Sequence, residues 1–179
     1  MNPIIDGILN IEGGYVNNPA DRGGPTNWGI TEKTARAHGY QGDMQDLTRE
    51  EAYRILEQDY WIAPGFDRVA DLSLPLAFEL CDAGTNVGPA HPSRWLQRWL
   101  NIFNRTAKKY PDLIIDGAIG NKTIEALKSY LAWRGKEGES VLLQALNCSQ
   151  GEYYLMISEA REVNEEFIYG WIRERVKIA

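Results

Sequence analysis

Glu12, Asp21 and Thr26 fall close together near the start of the chain. Glu12 closes the run Ile4-Ile5-Asp6-Gly7-Ile8-Leu9-Asn10-Ile11-Glu12, and Gly13-Gly14-Tyr15 follows at once. A carboxylic acid at a helix end, with a second carboxylate and a hydroxyl in the next loop or hairpin, can line one side of a cleft. Those groups suit cleavage of a sugar acetal. An acid protonates the leaving oxygen while positive charge develops at the anomeric carbon. Glu12 is the candidate acid, and partial burial against apolar walls would raise its pKa enough to keep the proton near neutral pH. Asp21, kept ionised, would stabilise that charge or position a water, and the Thr26 hydroxyl would hold the water. Each residue also has a plainer reading. A Glu at a helix C-terminus is commonly solvated and opposes the helix dipole, Asp21 suits a turn, and Thr26 can satisfy strand backbone.

These groups need rigid elements to aim them, and most of the chain reads as helix. Asn2 can cap a first helix with Pro3 at its first position, and Ile4, Ile5, Ile8 and Leu9 make an inward stripe. From Tyr15 to Thr31 the composition changes to turn chemistry, with Asn17-Asn18-Pro19, Gly23-Gly24-Pro25 and Gly29 around short apolar pieces. An irregular β-hairpin or long loop is expected there, and Tyr15 and Trp28 are its candidate sugar-stacking residues. Thr31 should cap a helix over residues 32–37. Thr48-Arg49-Glu50-Glu51 has capping-box spacing for a helix to about Tyr60. Ser73 should open a helix to about Asn86, on which Asp82 and Asn86 lie four apart and can share a face. Asn86, before Gly88, is the preferred substrate contact, with a helix-end hydrogen-bond network as the alternative for the pair. Trp95, Leu96, Trp99, Leu100 and Phe103 form an apolar helix face. Further helices are expected from Asn121, from Ser140 to Arg161 and from Glu165 to Val176, with a loop over 135–138. Trp95, Trp99 and Trp171 read as core residues.

The bulk properties narrow the function. At 179 residues, 44% apolar and 25% charged, the chain reads as a globular domain, with two lobes at most. A net charge of −6 argues against a nucleic-acid partner. Arg105, Lys108 and Lys109 are the best local basic cluster and read as a solvated face. Cys81 and Cys148 read as two small buried hydrophobes rather than a disulfide. With His38 and His91 they lack metal-ligand spacing, so no metal is expected. No nucleotide-binding motif is visible, and no cofactor is expected. No segment approaches a membrane span. Met1-Asn2-Pro3 and Asp6 do not make a secretion signal. The expectation is a protein made inside a cell, which another component must release if its substrate lies outside.

Glu12-Gly13-Gly14-Tyr15, followed by Asp21-Arg22-Gly23-Gly24-Pro25-Thr26-Asn27-Trp28-Gly29-Ile30-Thr31, resembles the signature of glycoside hydrolase family 108. Members are lysozyme-like muramidases, many from phages. Asp82 to Gly88, Asp116-Gly117 with Gly120 and Thr123, Tyr153-Tyr154, and Phe167 with Gly170-Trp171 and Arg173 agree with it. The later marks are similar to the family's C-terminal part, a predicted peptidoglycan domain. The resemblance implies a mainly α, lysozyme-like α+β fold with a small β-hairpin beside the catalytic helix end. It implies a catalytic part over 1–90 and a helical peptidoglycan-domain-like part over 91–179, packed into one globule. It implies catalysis by Glu12, Asp21 and Thr26; Tyr15, Trp28, Asp82 and Asn86, read from their positions, are the expected substrate contacts. The Glu–Asp spacing also resembles that of phage-type lysozymes, although Thr26 arrives one residue early against that pattern. The expected substrate is bacterial peptidoglycan, cut between N-acetylmuramic acid and N-acetylglucosamine, by analogy with inversion. With that substrate the resemblance implies a protein made in the bacterial cytoplasm without a signal peptide, which acts on the cell wall or periplasm after release by a holin or a secretion system. A lytic transglycosylase and a non-catalytic peptidoglycan-binding module are the alternatives.

Overall fold

The computed structural model describes residues 2–11, 14–17 and 25–176. Glu12, Gly13, Asp21 and the Gly23-Gly24 pair therefore lie outside the described residues. The chain divides into two compact units, Met1–Ile62 and Ala63–Ala179. As the caps, the apolar periodicity and the family resemblance imply, the fold is mainly α with one small antiparallel sheet.

The first unit begins with α1 (Pro3–Ile11). Asn2 Oδ1 accepts the Ile4 N–H at 2.9 Å, which satisfies one of the free donors of the first turn. Ile5 and Leu9 are fully buried, and this face packs on α3 (Arg49–Glu57). The two helices are also tied by polar contacts: Arg49 pairs with Asp6 and reaches Asn10 Oδ1 at 3.1 Å. Asn2 N–H donates to Tyr53 Oη at 2.6 Å. α3 starts with the expected capping box, in which Thr48 Oγ1 accepts from Glu51 N–H and the Glu51 carboxylate accepts from Thr48 N–H. It ends at Glu57 and widens into a π-turn over Gln58–Ile62, so the expected single helix changes pitch in its last part. Between α1 and α3 lie strands β1 (Thr26–Asn27) and β2 (Ile30–Thr31), then α2 (Glu32–Ala37), whose cap is Thr31 as its spacing implies. A 3-10 turn covers Met44–Asp46.

The second unit is a helical assembly of α4 (Phe66–Ala70), α5 (Leu74–Val87), α6 (Ala90–Phe103), α7 (Asn121–Ala160) and α8 (Glu165–Arg175). Its core is built from Phe66, Leu80, Leu96, Leu100, Leu127, Leu142 and Tyr154, each with no exposed surface. Burial pushes the Tyr154 hydroxyl up to about 12, and Gln150 Nε2 donates to it at 3.1 Å. The expected loop over 135–138 contracts to one residue. Gly135, at φ 62° and ψ −151°, kinks α7, and the helix resumes immediately. That backbone region is almost closed to other residues. Gly138 is then buried inside the helix, where its carbonyl accepts the Tyr130 hydroxyl at 2.9 Å.

Candidate active site

The hairpin is the described part of the candidate site. β1 and β2 pair antiparallel with Thr26 opposite Thr31 and Asn27 opposite Ile30. Trp28 (φ 54°) and Gly29 (φ 74°) make the turn between them. Two successive left-handed residues match the right-handed twist of a two-residue hairpin. Gly29 reaches that conformation freely, whereas Trp28 must be held there. Its indole N–H donates to the Leu47 carbonyl at 2.9 Å. Beside it Asn27, 6% exposed, donates from Nδ2 to the Met44 carbonyl at 2.7 Å and to the Gln45 carbonyl at 3.4 Å. Two side chains thus pin the turn to the segment ahead of α3. On the other edge Val16 and Thr26 exchange backbone hydrogen bonds, each 2.8 Å long. Thr26 therefore sits on the middle segment, bridged on both sides, which fixes its backbone. A tether of this kind leaves no periodic signal in sequence, so nothing in the local pattern marks Asn27 as an anchor.

Among the other named residues, Tyr15 is 37% exposed on the segment leading to the Val16 bridge. Trp28 is half-buried, with its polar edge already engaged. Glu12 directly follows the last residue of α1, and it and Asp21 fall outside the described residues. Asp82 and Asn86 belong to the second unit, on α5. Asp82 pairs with Arg175 of α8 at 2.8 Å, a helix-to-helix tie. Asn86 is exposed in the last turn of α5, before Gly88 (φ 87°) ends the helix. The first unit also holds a polar groove of about 460 Å³ lined by His38, Tyr40, Glu51, Arg54 and Gln58. His38 lies 2.9 Å from Asp59.

The Asp116-Gly117 element is organised from below by Gln97, which is 1% exposed. Its Nε2 donates to Asp116 Oδ1 at 2.8 Å and to the Ala118 carbonyl at 3.0 Å, and its Oε1 accepts the Gly117 N–H at 2.9 Å. Hydrogen bonding by Gln97, and next by the Ala118 N–H, holds the Asp116 carboxyl below the usual aspartate range. Among the described residues no group of three or more His, Cys, Asp or Glu side chains is arranged to hold a metal. No described helix is long and apolar enough to cross a membrane. Cys81 is buried as expected, but Cys148 is exposed, since it falls on the outward face of α7; the two are not joined in a disulfide. Of the tryptophans read as core, Trp95 is 7% exposed. Trp99 and Trp171 are half-buried.

The family model for glycosyl hydrolase 108 matches residues 5–88, and that for a predicted peptidoglycan domain matches residues 91–176. Among solved structures, the one titled "Structure of Brucella abortus SagA" shares the fold with a TM-score of 0.58 at 21% identity, covering 99% of this chain and 95% of that chain. No curated protein matches the chain in sequence. The family boundary falls between α5 and α6, inside the second compact unit.

Proposed function

From a chain that belongs to the glycosyl hydrolase 108 family over its first half and carries a predicted peptidoglycan domain over its second, we propose an N-acetylmuramidase. It is a glycoside hydrolase with a peptidoglycan-directed role, and the proposed bond is the β-1,4 link between N-acetylmuramic acid and N-acetylglucosamine. The observation that carries this reading is the family match over the segment that contains Glu12, Asp21 and Thr26 at their spacing. Glu12 delivers its proton to the leaving oxygen. Asp21 stays ionised and faces the developing positive charge, and Thr26, on a strand bridged on both edges, offers a hydroxyl to the attacking water. Attack from the far face inverts the anomeric centre and needs carboxyl groups ~6.5–9.5 Å apart. The tethered hairpin supports this assignment because a positioned water requires a wall that does not drift.

Acting on the wall, the enzyme serves as a phage or prophage lysin and reaches its substrate through a holin-type pore or a secretion system. Glu12→Gln removes the transferable proton and is expected to lower solubilisation of purified murein by about 10²–10⁴-fold, the usual worth of a general acid. Near-wild-type activity of that variant rules out the assignment. Mass spectrometry of the wild-type digest separates hydrolysis from transglycosylation. Reducing ends carrying an added water are expected, and anhydro ends with a tolerated Asp21→Asn point to the transglycosylase.

A further inference from the structure

We propose that a groove along α6 and α7 is a binding site for the glycan-peptide chains of peptidoglycan. The inference rests on the peptidoglycan-directed reading above and gives the second half of the chain a specific contact surface. The groove has a volume of about 470 Å³, and its lining includes Trp95, Arg98, Trp99, Glu152, Tyr153 and Met156. Two of its aromatic rings neighbour one another, Tyr153 lying 5.8 Å from Trp95 centroid to centroid, and Tyr153 also packs 4.7 Å from His91, which lies outside the lining. Trp99 is fixed by donating its indole N–H to Ser149 Oγ at 2.8 Å. That bond orients the ring and leaves it half-buried at the groove. Tyr153 is likewise half-buried, while its neighbour Tyr154 is fully buried in the core. The adjacent tyrosines thus divide their tasks between surface and core.

Rigid, partly exposed rings offer flat apolar faces to the C–H faces of pyranose rings at little cost in side-chain entropy. The polar members supply what a sugar hydroxyl or a stem-peptide carboxylate needs. Arg98 is exposed at the groove and has no ion-pair partner among the described residues. Its planar fork matches a carboxylate. Glu152, also exposed at the groove, accepts from hydroxyl or amide groups. Aromatic faces with an arginine fit a polymer that alternates sugar rings with short acidic peptides better than they fit an apolar helix of a protein partner.

Cys148 provides the probe. It is exposed and lines the same groove, whereas Cys81 has no exposed surface. Full-length Glu12→Gln protein, used to keep the wall intact, is incubated with purified sacculi stripped of accessory polymers. Co-sedimentation is measured, and maleimide labelling of Cys148 is followed by mass spectrometry with Cys148→Ser as background. Bound protein is expected to label about tenfold more slowly than free protein, and Arg98→Glu, an exposed change, to weaken binding by about tenfold. If the parent protein co-sediments but Cys148 labels at the free rate, or Arg98→Glu binds like the parent, the groove assignment is overturned while wall binding stands. Failure of the parent to co-sediment removes both this site and the wall-binding role of the second half. Intact-murein digestion by the Glu12→Gln protein counts only against the acid assigned above.

Discussion

Replacing Asn27 by Leu isolates the contribution of the tether beneath the hairpin. The two side chains are close in size, so little cavity forms and the loss is polar. The variant removes the 2.7 Å bond to the Met44 carbonyl and the longer 3.4 Å bond to Gln45. Losing one good bond costs about 1 kcal/mol, and the buried Met44 carbonyl, left with only the longer 3.4 Å bond from the Leu47 N–H, adds up to about 2 kcal/mol. Met44 is 2% exposed, so water does not readily replace the lost donor. The expected destabilisation is about 1–3 kcal/mol, which for a chain of this size lowers Tm by roughly 2–12 °C. Thermal and urea unfolding measure the global effect. Hydrogen exchange at the Val16 and Thr26 amides, which bridge these segments at 2.8 Å, reports the hairpin directly. Both amides should exchange faster in the variant. Wall-degrading activity should fall by about tenfold or more, because a shift near 1 Å in a positioning group is costly. A Leu variant within about 0.5 kcal/mol of wild type, with unchanged protection of Val16 and Thr26, refutes the claim that Asn27 fixes the hairpin.

Trp28→Phe keeps a ring but deletes the donor to Leu47 and should cost about 1 kcal/mol in urea unfolding. Gly135→Ala should cost about 1–3 kcal/mol although a Cβ there meets nothing within 4 Å, since the penalty is purely in the backbone. Gly120→Ala, at φ −85° with equally open surroundings, should stay within about 0.5 kcal/mol in the same assay. The Asp116 carboxyl has a lowered folded-state pKa, so its contribution to stability is present above the ordinary aspartate value and is lost as pH falls through the folded one. Tm followed downward from about pH 5 should therefore show an acid loss below about pH 4, and that loss should shrink in Gln97→Leu, whose amide is the main cause of the shift.

Helix positions were largely legible, because caps and apolar periodicity act within a few residues. Thr31, Thr48 and Ser73 each open a helix where their side chains can accept a first-turn N–H. The departures have equally local causes. α3 widens into a π-turn after Glu57, and Gly135 alone breaks α7 where a longer loop was expected. Cys148 reads as apolar by type, yet its place on the outer face of α7 decides its exposure. The hairpin was legible as turn chemistry in Gly29, but its anchors were not: Asn27 meets Met44 across 17 residues of sequence. Glu12 and Asp21 could be named from type, spacing and resemblance, while the described residues supply the neighbouring hairpin.

The same physical device recurs in the two units. In each, a glycine-bearing segment is anchored in part by a buried amide side chain. Asn27 serves the hairpin turn through the Met44 carbonyl, and Gln97 serves the 116–118 segment through both its donor and its acceptor. An amide suits this role because it satisfies carbonyls and N–H groups at once without introducing a charge into the core. It also demands complete pairing, since a half-satisfied buried amide costs more than an apolar side chain. The local chain must therefore adopt the one path that presents its backbone groups to that amide. Glycines make the path accessible and the amide selects it. A glycine-rich string alone does not specify a wall rigid enough to place a water or a sugar, and substitutions at Asn27 or Gln97 should disturb these surfaces more than substitutions at most exposed residues upon them.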